Sequence, residues 1–235
     1  IPRGQLKQIF WISLVGSTLQ YGMTFTGLSM LDASLAIIII HLEVPFSVLL
    51  AAIVLKDKPG SQRILGMLIS FAGIVLIAGQ PSLSEQLPAI LLTAAGAMTW
   101  AVGQIMVKRL ENPPSGFALT AWVGVFSGPQ MILGSFMFED SQLESLANAS
   151  WIGWGVILYL ALIMTVLGYG IWYHVLSRNH VSKVMPVMLL LPVFTIASSM
   201  LFLGEEPSPM IFIGAAVVIG GVSMIVITKD SKLTS

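Results

Sequence analysis

The 235-residue sequence contains no cysteine, which removes disulfide frameworks, thiolate nucleophiles and cysteine-based metal sites together. Charge is almost as scarce. Only 9% of the residues are Asp, Glu, Lys or Arg, against roughly 25% in ordinary soluble domains, while 56% are hydrophobic. So little polar surface does not clothe a globule in water, and the apolar exterior must meet lipid. The 11 basic and 11 acidic residues cancel, so the net charge offers nothing to a polyanionic partner and a nucleic-acid binder is excluded. There is no GxxxxGK[ST] phosphate loop and no soluble stretch to hold one, so nucleotide-driven work is not expected. No cofactor and no metal site are expected. An initiating methionine is missing too: the chain opens on Ile1 with no signal-peptide pattern before its first apolar run, and it is expected to begin inside a longer protein.

Long hydrophobic runs are what the sequence has in abundance. Cut at its charged residues, the chain leaves runs over 8–31, 33–55 (interrupted only by Glu43), 64–84, 86–107, 112–138, 145–177, 184–204 and 207–228. Each reaches the length of about 20 residues that a bilayer-spanning helix needs, which predicts eight transmembrane helices. Unbroken apolar stretches such as 37–40 and 187–191 do not alternate, which argues against a membrane β-barrel. The fold class expected is therefore all-α and integral to a membrane.

An even number of spans puts both ends of the chain on one side, and the basic residues say which. Arg3, Lys7, Lys56, Lys58, Arg63, Lys108, Arg109, Arg178, Lys183, Lys229 and Lys232 all fall in the loops of one face or at the two termini. The alternate loops carry Asp32, Glu85, Glu139, Asp140, Glu144, Glu205 and Glu206 and no base. By the excess of Lys and Arg on cytoplasmic loops, both termini are expected in the cytoplasm. Trp11, Trp151, Trp154, Trp172 and Tyr173 lie near span boundaries, where interfacial aromatics anchor helices.

Shifting the sequence by 148 positions lays Tyr21-Gly22 on Tyr169-Gly170, Leu28-Ser29 on Leu176-Ser177, and Ser34 on Ser182. The same register lays Lys56-Asp57-Lys58-Pro59 on Gly204-Glu205-Glu206-Pro207, Gly66 on Gly214 and Gly73 on Gly221, with Pro45 one position off Pro192. Matches at Gly, Pro and turn positions carry more information than matches at Leu or Ile. The loop after Lys56 is basic and its copy after Gly204 is acidic, so the two copies are expected to face opposite ways. Inverted repeats are characteristic of secondary transporters, in which two like halves of opposite orientation allow access from each side in turn. The second copy holds five helices from about residue 86 and the first holds counterparts of only the last three. Two upstream helices and a ten-helix parent are expected.

The stretch 160–228, with Gly168-Tyr169-Gly170-Ile171-Trp172, Pro192, Leu203-Gly204-Glu205-Glu206-Pro207 and a glycine-spaced last helix, resembles the second half of an EamA-type member of the drug/metabolite transporter superfamily. The segment 98–109, with Trp100-Ala101 and the closing Lys108-Arg109, is similar to the opening helix of that half. The resemblance covers nearly the whole chain, as the third to tenth helices of a ten-helix fold built from two inverted five-helix repeats. It implies residues 1–82 as a first EamA repeat without its first two helices, and residues 83–235 as a second repeat with all five. It also implies efflux of small metabolites, often amino acids and their derivatives, across the inner membrane, through a cavity lined by the first, third and fourth helices of each half.

Glu43 is the one carboxylate inside a span, 11 residues beyond Asp32 and 13 before Lys56, hence near the midplane. A charge there costs roughly 2.5–3.5 kcal/mol on insertion scales, so an intramembrane carboxylate is expected to face a cavity or a partner. Two roles fit: binding a substrate ammonium group, or taking up a proton that drives antiport. The alternative is a protonated side chain hydrogen-bonded to a neighbouring helix. His41, two positions away, does not share its helix face. Pro45 deprives the His41 carbonyl of its helical donor, Pro192 does the same to Met188, and Pro186 to Ser182. Breaks at matching places in two halves point to a binding and gating region, with a simple packing kink as the alternative. Gln20 and Tyr21 mid-span in the first helix, Trp100 and Gln104 one turn apart in the fourth, and Tyr169 complete the candidate substrate site. Gly124 with Gly128, and Gly66 with Ser70, have the small-residue spacing of close helix packing.

The function expected is gradient-driven export of a small polar metabolite by alternating access, without enzymatic chemistry. The partners expected are the lipid bilayer, the metabolite and, at Glu43, a proton, with either a monomer or a homodimer as the assembly. An integral-membrane enzyme is the weaker rival, because His174 and His180 have no acidic neighbour closer in sequence than Glu205. A transport-inactive truncated subunit is the other.

Overall fold

The computed structural model describes residues 3–56, 59–78, 81–111, 114–168, 171 and 190–227. Helices form throughout these residues and no strand occurs among them, as expected of a backbone that must satisfy its own hydrogen bonds in lipid. The helices are α1 (Arg3–Ser13), α2 (Gln20–Leu28), α3 (Ala33–Ile40), α4 (Glu43–Val54), α5 (Ser61–Ala78), α6 (Leu87–Lys108), α7 (Gly116–Phe138), α8 (Gln142–Ala147), α9 (Trp151–Leu158), α10 (Leu190–Ser198) and α11 (Pro209–Ile227). A π-helical turn over Leu14–Leu19 joins α1 to α2, and two others, Tyr159–Leu167 and Ser199–Leu203, extend α9 and α10. Such turns often mark functional positions.

Among the described residues five stretches are long and apolar enough to cross a membrane: Ala33–Val54, Ser61–Ala78, Leu83–Lys108, Gly116–Phe138 and Pro209–Ile227. They correspond to the second, third, fourth, fifth and eighth hydrophobic runs. The first run is α1, its π turn and α2. The sixth and seventh are represented by the shorter apolar helices Trp151–Thr165 and Leu190–Leu203. The basic loop between those two runs, with Arg178 and Lys183, lies outside the described residues, as do Tyr169 and Pro186.

The core gathers around α3. Leu35, Ile38 and Ile39 are almost fully buried, together with Ile74 and Ile77 of α5, Ala89, Ile90 and Ala97 of α6, Ile196 of α10, and Ile211, Ala215, Val218 and Val222 of α11. Burial of such side chains contributes about 1.5–3 kcal/mol each in water; in lipid the gain comes instead from close packing, which favours small residues at helix contacts. Two seams show this. Along α5 and α11 a Cβ placed on Gly221 would sit 2.5 Å from the Gly66 carbonyl oxygen and 2.6 Å from the Ser70 amide nitrogen. Gly73 stands equally close to Val218, and Gly214 against Ile77. Along α2 and α6 a Cβ on Gly103 would come within 2.5 Å of the Gly16 Cα, while Gly27 nests against Thr93 and Gly96 against Thr24.

The α5–α11 seam has an internal regularity. Adding 148 to Gly66 and subtracting 148 from Gly221 turns that pair into Gly214 and Gly73, whose backbones also meet, a Cβ on Gly214 falling 3.3 Å from the Gly73 carbonyl oxygen. Ser70 and Val218, themselves 148 apart, approach each other between the two pairs, hydroxyl to carbonyl at 3.5 Å. The close packing expected of Gly66 and Ser70 is therefore present. Among the described residues nothing packs on Gly124 or Gly128, where a Cβ would meet nothing within 4 Å. α7 turns a different face to the protein: Phe126 meets Phe10 edge-on at 5.7 Å, Ser127 is buried, and Trp122, Phe126 and Gln130 on the same side are partly buried.

Candidate functional site

The span Ala33–Val54 is broken in its middle. α3 ends at Ile40, His41 and Leu42 form a turn, and Glu43 opens α4. Pro45 in the first turn of α4 accounts for the break, since it has no N–H to continue the ladder of α3. The freed His41 carbonyl does not stay open, however: it accepts from the Val44 N–H at 3.2 Å, and Leu42 accepts from Phe46 at 3.0 Å. The polar group that the break presents at mid-depth is thus the Glu43 side chain rather than a carbonyl. His41 is buried, and its Nδ1 lies 2.9 Å from the Ile37 carbonyl in the last turn of α3.

Glu43 is half-buried in the first turn of α4. No hydrogen bond to its carboxylate occurs among the described residues. α4 packs on α6, and so does α2. Gln20 stands 12 residues before Asp32 in one direction of the chain and Glu43 11 beyond it in the other, which puts both near mid-depth.

Gln20 and Trp100 share a level. The contact of α2 with α6 at Thr24 and Gly96 and that of the π turn with α6 at Gly16 and Gly103 bracket Gln20 on one side and Trp100 on the other, and Trp100 is one turn from Gly96 on the same face. The Gln20 amide donates to the Thr24 hydroxyl at 3.2 Å, while its buried oxygen has no partner. A buried amide oxygen left unpaired costs about 1–3 kcal/mol, which makes it a natural acceptor for a ligand N–H. Tyr21 is half-buried and stacks on Phe25 with ring centroids 5.5 Å apart. Trp100 is half-buried and Gln104, although on the same helix, is exposed. Pro45 and Pro192 are buried.

One mid-span polar residue escaped the sequence reading. Gln130 follows Pro129 in α7 and reaches into the π turn: its Oε1 accepts from Thr18 at 2.7 Å and from Ser13 at 3.3 Å, and its Nε2 lies 3.4 Å from the Phe10 carbonyl. The signal for it was the Pro-Gln pair in the middle of an apolar run, the same pattern of break plus polar group that singled out Glu43. Gln130 is satisfied by protein partners, whereas Gln20 and Glu43 retain free acceptor capacity.

Mid-depth acceptors, a broken span and an apolar exterior are the features of this site that known proteins can be compared with. A probable amino-acid metabolite efflux pump of Salmonella typhimurium is 28% identical over 229 residues, which cover 94% of this chain and 76% of that protein. A protein of the same description in Escherichia coli is 27% identical over the same shares. An uncharacterized transporter of Archaeoglobus fulgidus is 26% identical over 90% of this chain and 73% of its own length. A solved crystal structure superposes with a TM-score of 0.60 over 92% of this chain and 74% of that one at 19% identity, which speaks for the fold alone. The model of the EamA-like transporter family matches residues 1–79 and 87–227, and the chain belongs to that family, a transporter integral to the membrane rather than an enzyme.

Proposed function

We propose that the protein exports a small polar metabolite, an amino acid or amino-acid derivative, across the cytoplasmic membrane by gradient-driven alternating access. The observation that carries this reading is the lone mid-span carboxylate of Glu43, half-buried at the break between α3 and α4 and without a hydrogen-bond partner among the described residues. A charge held there is expensive unless a proton or a ligand of opposite charge compensates it. An ammonium group fits Glu43, and the unpaired Gln20 oxygen offers a second acceptor at similar depth beside Trp100. The names of the two enterobacterial relatives favour the same substrate class.

The proposed frame is eight spans of a ten-helix fold with inverted five-helix repeats, divided near residue 82, in the inner membrane with both termini cytoplasmic. The segregation of all bases from the acidic loops supports the orientation. The 148-residue register, met again in the reciprocal glycine contacts of α5 and α11, supports the repeat. Tyr21, Tyr169, Gln104, Pro45, Pro186 and Pro192 keep their proposed places in substrate binding and helix breaking.

The test is efflux from cells carrying the intact gene, against a panel of amino acids and their analogues. Transport of at least one is expected, and Glu43→Gln should abolish it at an unchanged level of protein in the membrane. Wild-type efflux in that variant removes Glu43 from the mechanism. A folded protein that moves nothing in the panel favours the transport-inactive subunit.

A further inference from the structure

At the end of the bundle that bears the acidic loops, the N-terminus of α3 is capped from far away. The Ala33 N–H donates to Glu205 Oε1 at 2.7 Å and the Ser34 N–H to Glu205 Oε2 at 3.1 Å, across 172 and 171 positions of sequence. The Ser34 hydroxyl donates to the same carboxylate and lies 2.6 Å from the hydroxyl of Ser199, which is itself bonded to the Ile196 carbonyl at 3.0 Å. Gly204, in the left-handed region at φ +68°, turns the chain out of α10 so that Glu205 points back onto α3. Partial burial on its own would push the Glu205 carboxyl up; the bonds from Ser34, Ala33 and Ser199 outweigh it and hold the group below the usual carboxylate range.

The residue that ordinarily does this work is idle. Asp32 occupies the N-cap position with the extended backbone an N-cap requires, φ −63° and ψ 145°, yet its side chain makes no capping bond and is exposed. An aspartate there is among the best helix caps, taking the amide of Ser34 or Leu35; the Leu35 N–H is bonded to the main-chain carbonyl of Asp32 at 3.1 Å, and the Ser34 N–H is the one that Glu205 holds. The helix end therefore has two mutually exclusive partners of like chemistry, one local and one on the opposite half of the chain. That is a bistable element of the kind that switching needs.

We propose that Glu205 is a gate residue: its carboxylate clamps the turn after α10 onto the N-terminus of α3, and each transport cycle exchanges that clamp for a local cap supplied by Asp32. The gate rests on the transport reading above. When the clamp is in place α3 and α10 stay packed, with Ile196 buried in the cluster around α3. When Asp32 takes over, the amides of α3 remain satisfied and the two helices can part, so opening leaves no polar group stranded.

The 235 residues contain no cysteine, so Ile196→Cys, placed in the full-length protein with any cysteine upstream of Ile1 replaced by serine, reports that parting alone. Its labelling by a membrane-impermeant maleimide is followed in intact cells and in inverted vesicles. Adding Glu205→Gln should raise the rate roughly 2- to 30-fold, the range set by the strength of a helix cap, from the side that bears the acidic loops. Asp32→Ala, one residue from the contact, should do the opposite and slow labelling, because it removes the competing cap. A purely structural role for Glu205 gives no such reversal. Ser34→Ala withdraws a donor while keeping the carboxylate and should share the sign of Glu205→Gln, which covers the case of a Glu205 variant that fails to fold. Unchanged labelling, or the same sign at Glu205 and Asp32, overturns the gate while leaving export untouched. Opposite signs in a protein that moves none of the tested metabolites uphold the exchange of caps and sink the transport reading instead.

Discussion

The two halves of this chain meet at two quite different joints. Between α5 and α11 the contact is backbone against backbone, Gly66 on Gly221 and Gly73 on Gly214, with Ser70 closing the gap toward Val218. Between α3 and the turn after α10 it is one carboxylate on two amides and a hydroxyl. Helices in glycine contact have one comfortable arrangement, since any sliding drives side chains into backbone. A capped helix end has as many arrangements as there are carboxylates within reach. On the gate proposed above, the difference separates a fixed axis from a movable one within the same bundle, which is what the proposed alternating access requires.

The sharpest way to break that contrast is to fill the fixed joint. Gly221→Val should cost about 1–3 kcal/mol or more, because its Cβ would lie 2.5 Å from a carbonyl oxygen and 2.6 Å from an amide nitrogen, neither of which can rotate away. The neighbouring Gly220→Ala meets nothing within 4 Å and should be neutral or gain up to about 1 kcal/mol from helix propensity. Thermal unfolding of the two variants in the same detergent checks the pair, and equal stabilities would show that the seam tolerates repacking.

At the movable joint the loss should be smaller. Glu205→Gln removes a charged cap that is half exposed to solvent, so the expected destabilisation is about 0.5–1 kcal/mol, at the low end of capping energies. Unfolding measured beside Gly221→Val ranks the two joints directly. A Glu205 variant as damaging as the filled seam would make the clamp a second fixed joint.

Acid should loosen the clamp, but only in a particular window. The Glu205 carboxyl sits lower in the closed state than when free, so the stability it contributes is complete above the ordinary carboxylate range and is lost as pH falls through the lowered value. Asp32 and Glu206 are the other carboxylates on the two segments involved, and α10 and α11 carry no titratable side chain. Between about pH 6 and pH 8 the clamp is therefore intact, and efflux by the wild type and by Glu205→Gln should show the same pH profile there. A profile in that window that Glu43→Gln flattens would assign proton coupling to Glu43. One that Glu205→Gln flattens would contradict the lowered carboxyl.

These joints were unequally visible in the amino-acid sequence. The apolar runs declare the helices, and the break at Pro45 beside a lone Glu43 can be read without coordinates, because both are local. The glycines of α5 and α11 could be matched by a shift of 148, since the same residue type stands at corresponding places. Which pair of matched helices would lie against each other was not visible, and small-residue spacing misdirected at Gly124 and Gly128, where spacing allows contact but no described helix supplies it. Glu205 was legible only as one more acid in a loop. Its contact spans 172 residues, and its meaning lies in an Asp32 that looks like an ordinary cap until the structure shows it idle.

The smallest expected effect tests whether the fixed joint belongs to one face of α5 or to the whole helix. Ile74 and Ile77 face the seam at 8% and 1% exposure, whereas Val75 between them is 70% exposed on the opposite side. A side chain that looks out of the bundle meets acyl chains, and exchanging one apolar residue for another there alters neither packing density nor hydrogen bonding. Val75→Leu should therefore shift stability by no more than about 0.5 kcal/mol, where Ile77→Ala, losing packed volume against Gly214, should cost about 2–5 kcal/mol. A Val75 variant that falls with Ile77→Ala would mean that the outer face of α5 is also packed, by a further helix of the protein or by a second copy. The axis of the bundle would then be wider than the glycine seam, and the freedom assigned to the α3 joint correspondingly narrower.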